Sequence, residues 1–281
     1  MLALRQVLLC TLLVSAQAVV AGLPASAQGK LEAQYTAYLA GLPIGHGSWV
    51  VEIGEGQYSA VASGTTSGLL RAFTGGEGST GVRGTFSAGR LTMASYAATI
   101  ATRKKTENIR LLINSGNVKE SKVEPPQDNE DERVAITEAH KQGVLDPMTA
   151  SLMRTPGNGD PLKPEACQRS LAVFDGRLRY DLQLAYKRME TVKADKGYAG
   201  PAVVCAVYFT PVSGHIPSRS AIKYLTKLRD MEVWLAPIAG TRVLVPFRAQ
   251  GPTPIGNAVL EADQFVSVAL PARPAGGQKT Q

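Results

Sequence analysis

The sequence predicts a mainly β protein: one large antiparallel curved sheet, or a partly open β-barrel, with one or two short helices. Three observations carry this. Alternation of apolar and polar residues recurs in about eleven segments. Short stretches rich in Gly, Pro, Asn and Asp separate most of them, as hairpin turns require. The long helical patterns that link parallel strands are missing. A sheet of this many strands needs its edges joined or covered, hence the curl.

The first residues are MLALRQVLLCTLLVSAQAVVAGLPASAQ. Arg5 supplies a positive head, residues 7–20 an apolar stretch, and Ala25-Ser26-Ala27 a small-x-small cleavage site, so residues 1–27 read as a secretory signal peptide. Gln6 and Gln17 bound the apolar run at roughly half the ~20 residues a bilayer needs. Cys10 leaves with the leader. The expected product is exported across the inner membrane to the periplasm, with residues 28–270 as a single β-rich domain and 271–281 as a disordered tail. No later run is long enough to span a membrane.

Two cysteines remain, Cys167 and Cys205, in a compartment where disulfides persist, and they are expected to form one bridge. A metal centre or other cofactor is not expected: His46, His140 and His215 sit singly, without ligand spacing. The formal charge of +7, one less without Arg5, favours anionic surfaces. Nucleic acid is excluded as a partner by export and by the lack of any aromatic and basic motif.

Residues 31–39 (LEAQYTAYL) alternate, GLPIG turns the chain, and residues 48–53 (SWVVEI) alternate again. YSAVASGTTSG makes a strand of small residues. Residues 69–90, crowded with glycine, are expected to bend and loop. Gly75-Gly76-Glu77-Gly78 lacks the lysine and the strand-loop-helix context of a phosphate site. LTMASYAATI resumes the strand pattern, and IRLLINSGNV forms a hairpin arm with a Ser-Gly-Asn turn.

VEPPQDNEDERVAITEAH is a surface excursion. Its carboxylates, Glu124, Asp128, Glu130, Asp131 and Glu132, lack the spacing of a calcium loop. In LDPMTASLMR, Asp146 caps and Pro147 takes the first helical position, predicting a helix over 147–153.

Strands follow at 169–174, 177–187 and 201–210, with METVKADKGYAG as a loop between the last two. SRSAIKYLTKLRD predicts a helix. It carries Ala221, Leu225 and Leu228 on one face and Arg219, Lys223 and Lys227 on another, the latter a candidate contact for an anionic surface. MEVWLA, TRVLVPFR and NAVLEADQFVSV finish the sheet.

CQRSLAVFDGRLRYDLQL reads as a hairpin with Asp175-Gly176 as a two-residue turn. Phe174 then faces Arg177, and Leu171, Val173, Leu178, Tyr180, Leu182 and Leu184 share one face. Asp175 tolerates positive φ and caps its own turn, and a hairpin tip is a poor place to exclude water from a carboxylate. Continuing this ladder to Cys167 would put two strand spacings, about 10 Å, between it and Cys205. A bridge therefore requires the ladder to stop near Arg169, with Cys167 in a loop beneath the hairpin.

YLAGLPIG, DPMTASL, CQRSLAVFDGRLRYDL, GPAVVCAVYFTPVSGH, VWLAP, VLVPFR and PIGNAVL together resemble the exported bacterial proteins grouped as domain-of-unknown-function family 3108. The resemblance runs from about Leu31 to Val268. It implies an exported, β-rich envelope protein of Gram-negative bacteria and no assigned activity.

Three functions are compatible with this reading. The first is a non-enzymatic periplasmic protein of cell-envelope maintenance, binding an apolar or amphipathic envelope component, a lipid, or an envelope protein. The second is a hydrolase, for which Ser213-Gly214-His215 is the nearest candidate, without a G-x-S-x-G elbow. The third is a purely structural assembly module whose sheet is filled by its own side chains. An apolar lumen of several hundred Å³ separates the first from the third.

Overall fold

The computed structural model describes residues 28–54, 56–67, 75–87, 90–127, 131–157 and 159–271. The expected leader at 1–27 and residues 272–281 of the expected tail lie outside them.

The first half is an unbroken antiparallel meander: β1 (Gly29–Leu39), β2 (Leu42–Ile53), β3 (Gln57–Thr66), β4 (Glu77–Ser87), β5 (Arg90–Ala101), β6 (Thr106–Asn114) and β7 (Asn117–Glu124). Then come α1 (Pro147–Ala150), β8 (Met153–Arg154), β9 (Arg169–Phe174), β10 (Arg179–Lys193), β11 (Lys196–Gly197) and β12 (Ala199–Ser213). The chain ends with α2 (Ser220–Lys227), β13 (Glu232–Pro237), β14 (Val243–Thr253) and β15 (Gly256–Ala269). The main path of the sheet runs β7-β6-β5-β4-β3-β2-β1-β15-β14-β13-β12-β10-β9, with β11 on β15 and β8 on β14.

The sheet is open: β7 and β9 are its two ends. Segment 144–146 spans the gap. Leu145 N–H donates to Ala172 O, Phe174 N–H donates to Leu145 O, and Val144 N–H donates to Gly116 O in the β6–β7 turn.

The period-two pattern decides which face curls inward. Leu31, Ala33 and Tyr35 of β1, Trp49, Val51 and Ile53 of β2, and Ile109, Leu111 and Ile113 of β6 are buried in one core with Phe247 and Phe265. A second core lies on the opposite face of β12, β13 and β14, where Cys205, Val203, Val233, Leu235 and Leu244 meet Cys167 and Met153. The middle of this half of the sheet is therefore covered on both sides, which explains its near-continuous apolar runs.

Four local expectations need correction. The glycine-rich stretch forms β4 over its second part, because residues 77–85 pair with β3 and residues 77–87 with β5; residues 68–74 are not among those described. The helix begun by Asp146 ends at Ala150, and Met153 pairs with Leu244 of β14 instead. Residues 189–193 continue β10, pairing with 199–203 of β12, so the expected loop shrinks to a short connection.

The fourth concerns the hairpin of β9 and β10. Its register is displaced by two residues: Phe174 pairs with Arg179 and Leu171 with Leu182, around the loop 175–178. A shift of two preserves the side-chain parity, so Leu171, Val173, Tyr180, Leu182 and Leu184 still share one face, while Leu178 falls in the loop. The ladder ends at Arg169 paired with Leu184, and Cys167 closes a 3-10 turn (Pro164–Cys167) outside it.

Candidate functional site

Inward-facing residues align in rows across the meander. One row is Trp49, Ala62, Thr80, Ala98 and Ile109. The next, toward the β1–β2 turn, is Tyr35, Gly47, Gly64, Gly78 and Ile100, so three adjacent strands put glycine on the same side. Where a side chain is absent from three neighbouring inward positions, the sheet leaves a hollow.

That hollow is a cleft of about 720 Å³. Trp49, Tyr35 and Tyr96 form its rings, Met148 and Pro147 of α1 its plug, Pro246 its far wall, and Ile44, Ile100 and Leu260 its mouth. Few polar atoms are offered to it. The Tyr35 hydroxyl is committed to Pro246 O at 2.7 Å, tying β1 to β14. Trp49 Nε1 is buried and has no hydrogen-bond partner. Such a size and lining suit an apolar small molecule or chain.

The glycines differ in what they would tolerate. A Cβ on Gly47 would begin 2.9 Å from Ser63 O and one on Gly45 2.8 Å from Thr65 O, so both are demanded by close strand approach. A Cβ on Gly64 would lie 3.5 Å from His46 O, and one on Gly78 3.5 Å from Thr99 O, ordinary contacts. Packing does not require glycine at these two positions, and their emptiness is what keeps the cleft open.

Beneath the α1 plug lies a group of buried titratable side chains. Asp146 is fully buried; its Oδ1 accepts the Thr149 N–H at 2.9 Å, and its Oδ2 has no partner. Burial raises its carboxyl above the ordinary 3.8. Tyr58 bonds Thr149 Oγ1 at 2.7 Å. The charge of Asp146 reaches Tyr58, Tyr96 and Tyr180, whose hydroxyls burial also pushes up. Asp175 belongs to the same electrostatic neighbourhood, since it too acts on Tyr96 and Tyr180.

The expected site residues are placed as follows. Cys167 and Cys205 form the disulfide, with Cα atoms 5.4 Å apart. Asp175 Oδ1 accepts the N–H groups of Arg177 at 2.8 Å and Leu178 at 2.7 Å, and Gly176 has φ +96°. Two features of the turn are corrected. Asp175 itself does not take positive φ. Its carboxyl is also enclosed and raised by burial, because the curl brings the hairpin tip onto β6 and β7. Arg219 precedes α2, and Lys223 and Lys227 are exposed on it; α2 has no buried residue and does not line the cleft.

Histidine chemistry does not assemble a nucleophile here. Thr36 Oγ1 lies 3.0 Å from His46 Nδ1 and donates to Asp263 Oδ2 at 2.5 Å. With its proton on the carboxylate side, the threonine oxygen accepts from the histidine, the reverse of a base activating a hydroxyl. Ser213 Oγ and His215 Nδ1 are each buried without a partner, so they do not bond one another. Among the described residues, no three His, Cys, Asp or Glu side chains gather as a metal site. No described helix is long and apolar enough to cross a membrane.

An apolar lumen was among the expected alternatives, but not the residues that line it. Its signal was present: Gly45, Gly47, Gly64, Gly76 and Gly78 recur at inward parity. Only the register across three strands makes them neighbours.

A family model described as "Protein of unknown function (DUF3108)" matches residues 34–263. No curated protein matches the chain. Among solved structures, a beta-barrel-like protein of domain of unknown function DUF1849 from Brucella abortus is similar at 10% identity, with a TM-score of 0.47, covering 85% of this chain and 97% of that one.

Proposed function

The chain belongs to the DUF3108 family, whose function is unknown, and on that premise we propose that it is a non-enzymatic periplasmic binding protein of the cell envelope. It holds the apolar part of an amphipathic envelope component, such as an acyl chain, in the cleft between the meander and α1. The observation that carries this reading is the pair Gly64 and Gly78. Each has room for a Cβ, neither has one, and the vacancy opens a cleft of about 720 Å³ lined by rings and aliphatic carbon. The leader-like first residues and the disulfide support an oxidising, exported setting.

A fluorescent polyene fatty acid tests it. The wild-type protein should take up the probe with enhanced emission. Gly64→Val together with Gly78→Val should weaken uptake about tenfold or more, with an unchanged melting temperature. Absence of uptake by the wild type, or equal uptake by the filled variant, would overturn the reading.

A further inference from the structure

The antiparallel path brings alternate connections to one edge of the sheet, and the cleft opens at that edge. Ile44, Leu260 and Thr102 line the mouth, and each follows or precedes a turn at this edge. The β1–β2 and β14–β15 turns abut: Ala40 N–H donates to Asn257 O at 2.9 Å, and a Cβ on Gly256 would lie 2.6 Å from Ala40 Cβ. These two turns carry the most exposed large apolar side chains among those described, Leu42 at 69% and Ile255 at 72%. Neither is needed by either core. Leaving two such side chains in water beside one opening is a cost that packing inside the molecule does not offset.

Across the mouth, the β5–β6 turn presents Arg103, Lys104 and Lys105, all exposed. Lys105 pairs with Glu107, which also lies 3.4 Å from Arg177, so this carboxylate sits among more cations than it balances. Glu77 is the other acid at the rim. Further along the same edge, the β12–β13 connection carries α2 with Lys223 and Lys227 exposed, followed by Arg229 and Asp230. Directly beside the cleft mouth, the positive charge is that of the β5–β6 turn.

We propose that this rim docks on an anionic lipid bilayer, with Leu42 and Ile255 entering the interface and residues 103–105 meeting the headgroups. Shallow apolar insertion combined with basic side chains at headgroup depth is how peripheral proteins hold such surfaces. Docking in this orientation turns the cleft mouth toward the acyl region. The proposal concerns the turns themselves and does not require the cleft to be filled.

Co-sedimentation of the full mature chain with phosphatidylglycerol-containing vesicles, and separately with phosphatidylcholine vesicles, reads the binding. The wild type should bind the anionic vesicles, more weakly as salt rises. Leu42→Ser with Ile255→Ser should reduce partitioning about tenfold. Arg103→Glu with Lys104→Glu should abolish the preference for anionic vesicles. Val61→Ser, a substitution at a 59% exposed apolar residue in the middle of β3, should change nothing. The proposal fails if the wild type binds neither vesicle, or if the Val61 variant loses as much as the turn variant. The Gly64 and Gly78 double variant keeps the rim intact and should still bind vesicles. Lost probe uptake with retained vesicle binding, or the opposite, therefore separates the cleft reading from the docking reading.

Discussion

Gly176 lies against Ile109: a side chain on the glycine would begin 2.8 Å from Ile109 Cγ2 and 3.3 Å from Val123 Cγ2. The tip of the β9–β10 hairpin thus touches the opposite end of the same sheet, and the contact is where the curl is drawn together. Arg177 strengthens it with an ion pair to Glu107 at 3.4 Å and a hydrogen bond to Pro125 O at 3.1 Å.

Gly176→Ala should therefore destabilise the fold by about 2–4 kcal/mol, combining the strain of a φ of +96° with overpacking against β6. Thermal unfolding measures it. A melting temperature unchanged from wild type would show that the tip is free to lift from β6.

Removing the bridge by Cys167→Ala with Cys205→Ala, or by reductant, should cost up to about 4 kcal/mol for a sequence separation of 38. Denaturant titration with and without reductant checks this. Equal midpoints would mean that the second core holds the 3-10 turn against β12 without the covalent link.

Glu232 is 8% exposed and accepts hydrogen bonds from Arg188 at 2.9 Å and from Gln250 at 3.2 Å, with Lys187 at 2.5 Å. Arg188 chiefly, then Lys187, holds its carboxyl down from 4.5 to about 2. A depressed carboxylate contributes stability that is present above its unfolded value and lost as pH falls through its folded value. Wild type should exceed Glu232→Gln by about 2 kcal/mol at pH 7. The gap should close between pH 4.5 and pH 2, followed by unfolding at stepped pH.

Asp146 has the opposite sign. Its carboxyl is raised by burial, so the wild type bears no penalty below 3.8 and an increasing one as pH climbs through the folded value. Asp146→Asn keeps the oxygen that accepts the Thr149 N–H and removes the buried charge. It should melt higher than wild type at pH 7, with the two curves converging near pH 3.8. A variant that melts lower at pH 7 would show that the charge has a compensating partner.

What the sequence discloses depends on how local the determinant is. β1 and β2 were legible because Leu31, Ala33 and Tyr35, and then Trp49, Val51 and Ile53, alternate without interruption. The face of the β9–β10 hairpin was legible too, because parity survives a register error of two. The register itself was not: it depends on Asp175 accepting two backbone N–H groups and opening the loop to four residues. β4 escaped because glycine lowers strand propensity, and only pairing on both sides overrides that. The interior position of Asp175 arises from contacts between residues far apart in sequence, where local patterning is silent. The cleft combines both difficulties, since each glycine is uninformative until β2, β3 and β4 are aligned.

The gap between β7 and β9, spanned by segment 144–146, gives the molecule the mechanics of a split ring. In a closed barrel, strand number and stagger set the diameter, and widening it would shear ladders around the whole circumference. Here three hydrogen bonds at Val144, Leu145 and Phe174 form a clasp. Releasing it, together with the contacts of Gly176 and Arg177 on β6 and Pro125, would let the two ends of the sheet part while every ladder stays intact.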